Sequence, residues 1–192
     1  MSDEILNNSF QNKVAFFFRK NFKKIIILTI FLILILFSFF IYKDWQKKIE
    51  INLSEEYTQA SILFKNKKNN ESKELLENII NKKHKFYSPL ALYFIIDNNL
   101  ENERLKIISF FDTILSINSI DKENLNLIKI KKSIFLFSED NEKLILETLN
   151  PVINSDSVWR NMAIKLISDY FFSKNQKTIA NEYIQLLNNN TK

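Results

Sequence analysis

Two patterns of apolar and polar residues divide the chain. From Ile25 to Tyr42 it reads IIILTIFLILILFSFFIY, 18 residues without a charge, bracketed by Lys23, Lys24 and Lys43. As a helix rising about 1.5 Å per residue this run reaches roughly 27 Å, enough, with lysines snorkelling at each end, to cross a hydrocarbon core of about 30 Å. No small-residue cleavage site follows it, so the pattern predicts an uncleaved membrane anchor rather than a signal peptide. After Lys43 the pattern changes. Apolar residues recur every three or four positions between short clusters of Asn, Asp, Ser and Lys, which predicts helices joined by tight turns. The expected helices cover 44–66, continuing the anchor, then 70–81, a third from Ser88, and 102–117, 121–137, 141–153, 157–173 and 176–187. At Ser88-Pro89 the serine is the expected N-cap, with proline at the first helical position.

The spacing of these helices carries a second message. Those opening at Ser88, Asp121 and near Ser155 lie about 33 to 35 residues apart, the period of a two-helix solenoid unit of the tetratricopeptide type. In MAIKLISDYFFSKNQKTIANEYIQLL the small Ser168 and Ala180, twelve apart, are expected to let two helices approach closely, with Asn175 supplying a left-handed turn in place of glycine. Ala60 and Ser72 repeat that spacing in the first pair. The middle pairs, with ISFF and ILET, carry bulky residues instead. The expected fold is therefore all-α: a single N-terminal transmembrane helix followed by a TPR-like α-solenoid of about four helix pairs. Its parts are a basic, aromatic cytoplasmic tail (1–24), the anchor (25–42), the helical-repeat domain (43–187) and a disordered tail (188–192).

Composition narrows the chemistry. The chain has no Gly, no Cys and one His among 192 residues. Without glycine there is no Gly-rich phosphate loop, dinucleotide fingerprint or nucleophile elbow. Without cysteine there are no disulfides, thiolate zinc sites or thiol catalysis. His84, in NKKHKFYSP, reads as a loop residue whose neighbouring lysines oppose its protonation. Glu55-Glu56 and Glu139-Asp140 read as solvated acidic pairs, the second a candidate helix cap. The expectation is a non-enzyme with no cofactor and no metal. Residues 1–24 carry three of the five net positive charges, so VAFFFRKNFKK reads as a juxtamembrane segment drawn to anionic lipid and not as a nucleic-acid footprint. Five bases before the span against three shortly after it favour a cytoplasmic N-terminus.

The opening MSDEI with its Lys- and aromatic-rich tail, the span, the helix after KDWQ, and above all LNPVINSDSVWRNMAIKLISDYFFSKNQKTIANEY resemble the single-pass, tetratricopeptide-like proteins of the YfgM type. Leu149, Pro151, Trp159, Arg160 and Ala163 stand where similar alphaproteobacterial proteins carry comparable residues. Here Asn, Ser, Ile and Lys replace the Gly and Ala of those relatives. The resemblance implies an ancillary subunit of the SecYEG translocon in the bacterial inner membrane. Its repeat domain would lie in the periplasm, with translocon subunits, a periplasmic chaperone and emerging polypeptides as partners. An envelope scaffold for cell-division or outer-membrane assembly complexes is the alternative that the residues leave open. In either case, contacts are expected on the first helix of each pair, where aromatic and cationic side chains supply binding energy. The candidates are Tyr57, Tyr93, Lys129, Lys132, Trp159 and Arg160.

Overall fold

A computed structural model describes residues 2–139 and 141–188. Among these, every element is helical and no strand occurs. The helices are α1 (Ser2–Lys65), α2 (Asn69–Asn81), α3 (Tyr87–Asp97), α4 (Arg104–Leu115), α5 (Lys122–Leu136) with a 3-10 turn at Phe137–Glu139, α6 (Glu142–Ile153), α7 (Arg160–Ser173) and α8 (Lys177–Asn188). Contacts divide the chain into two units, Met1–Asn52 and Leu53–Lys192.

The first unit is the N-terminal part of α1. It contains the one helical stretch, among the described residues, that is long and apolar enough to cross a membrane, and none of that stretch is buried by protein. Side chains from Ile26 to Tyr42 stand in the open, Phe40 68% exposed. Ser38 turns its hydroxyl back to donate to the Leu34 carbonyl at 2.9 Å, which satisfies the polar group within the helix itself. At the far end of the run the Tyr42 and Trp45 rings lie 6.3 Å apart and Lys43 reaches back over Phe39.

The second unit is a succession of helical hairpins. Each helix from α2 onward packs on the next, and contacts also join α2 to α4 and α5 to α7. The small pairs do what their size allows and more. Ser72 Oγ donates to the Ala60 carbonyl at 2.8 Å, Ser168 Oγ donates to the Ala180 carbonyl at 3.0 Å, and all four residues are fully buried. A hydroxyl reaches a helix backbone directly only where no bulky Cβ substituent intervenes, so these bonds mark the closest helix approaches. The twelve-residue register also holds in the middle, where Ser133 and Ile145 are both fully buried, while Ser133 donates within α5 to the Lys129 carbonyl. One core cluster lies under α5 to α8, formed by Leu136, Ile145, Leu149, Ile164, Ile167 and Tyr170 among others, and further buried residues such as Leu76, Ile79, Leu92, Ile95 and Phe111 lie under α2 to α4. Each such side chain contributes about 1.5–3 kcal/mol by leaving water.

Turns are made without glycine. Lys67, Lys83, Asn99 and Asn175 have φ of 62°, 53°, 50° and 60°. At Lys67, Asn99 and Asn175 the N–H of that residue and the next both close back on the helix. Asn175 N donates to the Phe172 carbonyl at 3.0 Å and Gln176 N to the Phe171 carbonyl at 2.9 Å. Asp121 and Asn141 cap α5 and α6 through the N–H groups of Asn124 and Leu144. Asp140 of the expected capping pair lies outside the described residues. α8 includes Asn188, and the rest of the expected tail, 189–192, likewise lies outside them.

Two expected helix starts are corrected. Ser88 is not the cap of α3, which opens one residue earlier. Its hydroxyl is buried, accepts the His84 N–H and donates to the Ile79 carbonyl, tying the turn to the end of α2. The capping role falls to His84, whose Nδ1 accepts from the N–H groups of Phe86 and Tyr87 at 3.2 Å each, so this residue is half-buried and structural. α7 opens at Arg160 rather than 157 because the Ser157 hydroxyl is engaged elsewhere. It donates to Glu123 of α5 at 2.6 Å and accepts the Trp159 N–H.

Candidate functional site

The six candidate contact residues do not form one site. Tyr57 is half-buried in an aromatic cluster, edge-on to Phe94 with centroids 5.8 Å apart and tilted against Tyr87. Burial, and then the charge of Asp97, raise its hydroxyl pKa above the usual tyrosine value. Lys129 is half-buried and directs Nζ at the Asn126 side chain. Lys132 is only 4% exposed and its ammonium meets the Asp112 carboxylate at 2.6 Å, which pins α5 to α4. It is held inside the fold, not offered at the surface. Trp159 packs against the core cluster under α5 to α8 as the N-cap residue of α7. Arg160 Nε donates to the Ile153 carbonyl at 2.8 Å, closing the C-terminal end of α6. Four of the six are thus engaged in joining helices.

Tyr93 differs. It stands where α3 faces α5, two helices whose side chains line common cavities. The space between them is a groove with one cavity on either side of the Tyr93 ring. The first, about 190 Å³, is lined by Phe86, Pro89, Leu90, Leu127 and Ile128. The second, about 240 Å³, is lined by Ile96, Phe111, Ile134 and Phe135, with Asp97 at its edge. Lys131 places its ammonium 4.3 Å from the Tyr93 ring centroid, a cation–π contact at the midpoint of the groove. Burial pushes the Tyr93 hydroxyl up to about 12, so it remains a neutral donor at physiological pH.

The other partners at this groove, Phe86, Lys131 and Ile134, were not among the candidates. A signal for them exists in the sequence. The buried apolar face of α3 is Ala91, Leu92 and Ile95, yet a second apolar stripe begins at Phe86, just before the helix, and continues through Pro89, Leu90, Tyr93 and Ile96. Two apolar stripes on one short helix mean that one of them faces something other than the core.

A second cluster is ionic. Glu101, in the turn before α4, accepts Lys73 at 2.7 Å and Lys106 at 3.3 Å, and Lys106 also meets Glu77 at 2.6 Å. Its other oxygen accepts the N–H groups of Asn102 and Glu103, both at 2.8 Å. The Lys73 hydrogen bond, chiefly, holds the Glu101 carboxyl at a pKa of about 2 despite its burial. This network ties α2 to α4. Among the described residues no three His, Asp or Glu side chains gather closely enough to hold a metal ion. Compared with protein-family models, with curated proteins and with solved structures, the chain matches none.

Proposed function

We propose that this chain is a membrane-tethered, non-catalytic interaction module. In this reading residues 25–42 cross the bacterial inner membrane with the N-terminus in the cytoplasm, and 43–187 form a TPR-like solenoid in the periplasm. There the chain acts as an ancillary subunit of the SecYEG translocon, linking it to periplasmic chaperones and emerging polypeptides, as the resemblance to YfgM-type proteins implies.

One observation carries the reading. A fully exposed apolar rod, which lipid would cover, occurs in the same chain as a hairpin domain that offers an open apolar groove. The repeat character is supported by the twelve-residue register of buried positions at 60 and 72, 133 and 145, and 168 and 180. It is further supported by the packing of α2 on α4 and of α5 on α7, the kind of contact by which stacked two-helix units share a core. A tether of this kind raises the local concentration of the domain near membrane partners, so each contact can be weak.

The test is purification of the full chain from membranes in mild detergent. Recovery of translocon subunits or a periplasmic chaperone is the expected result. Recovery of division or outer-membrane assembly proteins would instead make the chain an envelope scaffold, and a preparation holding only unrelated soluble proteins would end both readings. Protease added outside spheroplasts should digest the domain, and a domain left uncut would overturn the topology.

A further inference from the structure

The charged segment ahead of the apolar run has no part in the interaction module. α1 is helical from Ser2 onward, so residues 10–24, FQNKVAFFFRKNFKK, take positions on a helix at about 100° per residue. Phe10, Val14, Phe17, Phe18 and Phe22 then fall within one arc of about 140°. Lys13, Arg19, Lys20, Lys23 and Lys24 fall within another arc of about 140° that does not overlap the first. Phe16 is the one aromatic residue on the basic side. The two-sided pattern stops at Lys24, because from Ile25 to Tyr42 apolar residues fill every side of the helix. α1 therefore changes at one point from the pattern of a helix lying at an interface to that of a helix crossing a hydrocarbon layer.

Charge and continuity say what covers the apolar arc. The segment holds five bases and no acid, which complements a surface of phosphate groups. Lys24 adjoins Ile25, so the leaflet that the anchor enters is the nearest such surface. Nucleic acid would also take the bases, but it would leave four Phe in water and would not account for an apolar arc that ends where the span begins. Phe22, on that arc, is 61% exposed in α1, so no other part of the chain covers it. Held upright, the helix would lift Lys13 about 17 Å and Phe10 about 21 Å from Lys24, farther than the roughly 8 Å over which headgroup charge acts at physiological salt. Laid on the leaflet, with the chain turning near Lys24, the same helix brings every base to the headgroups and every residue of the apolar arc out of water.

We propose that residues 10–24 are a second membrane-binding element, an amphipathic helix that lies flat on the anionic phospholipid surface of the leaflet the anchor enters. The apolar arc sits at the boundary between headgroups and acyl chains, and the ammonium and guanidinium groups of the basic arc meet lipid phosphates. The anchor alone holds the chain in any bilayer. This helix makes the posture of the chain depend on the anionic content of that bilayer. The proposal rests on the reading of residues 25–42 as a membrane span and is independent of which protein the domain binds.

The experiment places the full chain in lipid nanodiscs, one chain to a disc, with Phe18→Trp as the only tryptophan in a Trp45→Phe, Trp159→Phe background. The discs are neutral phosphatidylcholine, or the same lipid with one-third phosphatidylglycerol. Acrylamide should quench this reporter at least threefold less in the anionic discs, and lipids brominated near the top of their acyl chains should quench it there. Neutralising the basic arc with Lys13→Gln, Arg19→Gln, Lys20→Gln and Lys23→Gln together should abolish the protection, and so should Phe10→Ser with Phe17→Ser. Phe16→Ser, on the basic side, should leave it intact. Equal accessibility in the two kinds of disc, or protection that survives neutralisation, would overturn the proposal. Protection without bromine quenching would mark a contact with protein and overturn it as well. A chain that enters the discs and gives any of these results loses this helix alone, whereas a chain that stays free of lipid loses the anchor and the helix together.

Discussion

Replacing Glu101 by Gln removes a charge from the middle of the ionic network while keeping the side-chain shape. In the native protein the carboxylate has four donors, the ammoniums of Lys73 and Lys106 and the N–H groups of Asn102 and Glu103, and its side chain is only 7% exposed. Its pKa falls from 4.5 to about 2, which corresponds to about 3 kcal/mol favouring the folded state once the carboxylate is ionised. The amide oxygen of the substituted side chain can still accept one or both backbone N–H groups, and Lys106 retains Glu77, so the expected loss at pH 7 is about 2 kcal/mol. The sign of the pH dependence follows from the depressed value. The contribution is complete above about pH 4.5, where the carboxylate is ionised even in the unfolded chain, and it drains away as the pH falls toward 2. Urea unfolding of the full chain in detergent micelles, followed by Trp159 fluorescence in a Trp45→Phe background, measures both. Glu101→Gln should be about 2 kcal/mol less stable at pH 7 and should close most of that gap by about pH 2.5. A variant within about 0.5 kcal/mol of the parent at pH 7, or one whose deficit is unchanged at low pH, would refute the assignment.

Other substitutions test other parts of the fold by the same unfolding measurement. Asn126 buries a side-chain Nδ2 with no partner among the described residues, so Asn126→Leu should gain about 1 kcal/mol, and a loss would mean that the amide is satisfied in solution. Lys67→Gly and Lys83→Gly, at left-handed turns, should each gain about 0.5–1 kcal/mol, and destabilisation would contradict their positive φ. Ser168→Val both deletes the hydrogen bond to Ala180 and wedges two methyl groups into a close helix approach, so a loss of about 2 kcal/mol or more is expected, against about 1 for Ser168→Ala. Asp112→Ala should cost more than Lys132→Met, because the first strands a buried ammonium and the second removes it. The reverse order would show that the Lys132 side chain is not held inside.

Much of the helical layout can be read from the chain because its punctuation is local. Asn175 follows the last apolar residue of a helix and precedes the next, and only a left-handed residue can turn the chain there. The Ala60–Ser72 and Ser168–Ala180 spacings likewise state their purpose in residue size alone. The failures concern decisions made by tertiary packing. Lys131 and Lys132 are neighbours on α5, about 100° apart around the axis, and only the seating of α5 on α4 decides which one pairs with Asp112 and which one faces the groove. At the start of α3 the local signal Ser-Pro was strong, but the Ile79 carbonyl at the end of α2 took the Ser88 hydroxyl, and His84 replaced it as cap. Trp159 and Arg160 are contact candidates by residue type, and their packing at the junction of α6 and α7, where Arg160 also closes the end of α6, is set by tertiary structure in the same way.

The turns built on Lys and Asn change where the backbone entropy of this molecule is concentrated. A polypeptide with no glycine has fewer conformations to surrender on folding, so ordering its helices costs less than for a chain of ordinary composition. The strain comes back at four corners, Lys67, Lys83, Asn99 and Asn175, where side chains sit in a region that disfavours a Cβ. Stiff rods joined at stressed corners make local opening at the hairpin bends easier than fraying along the rods, and amide exchange should begin there.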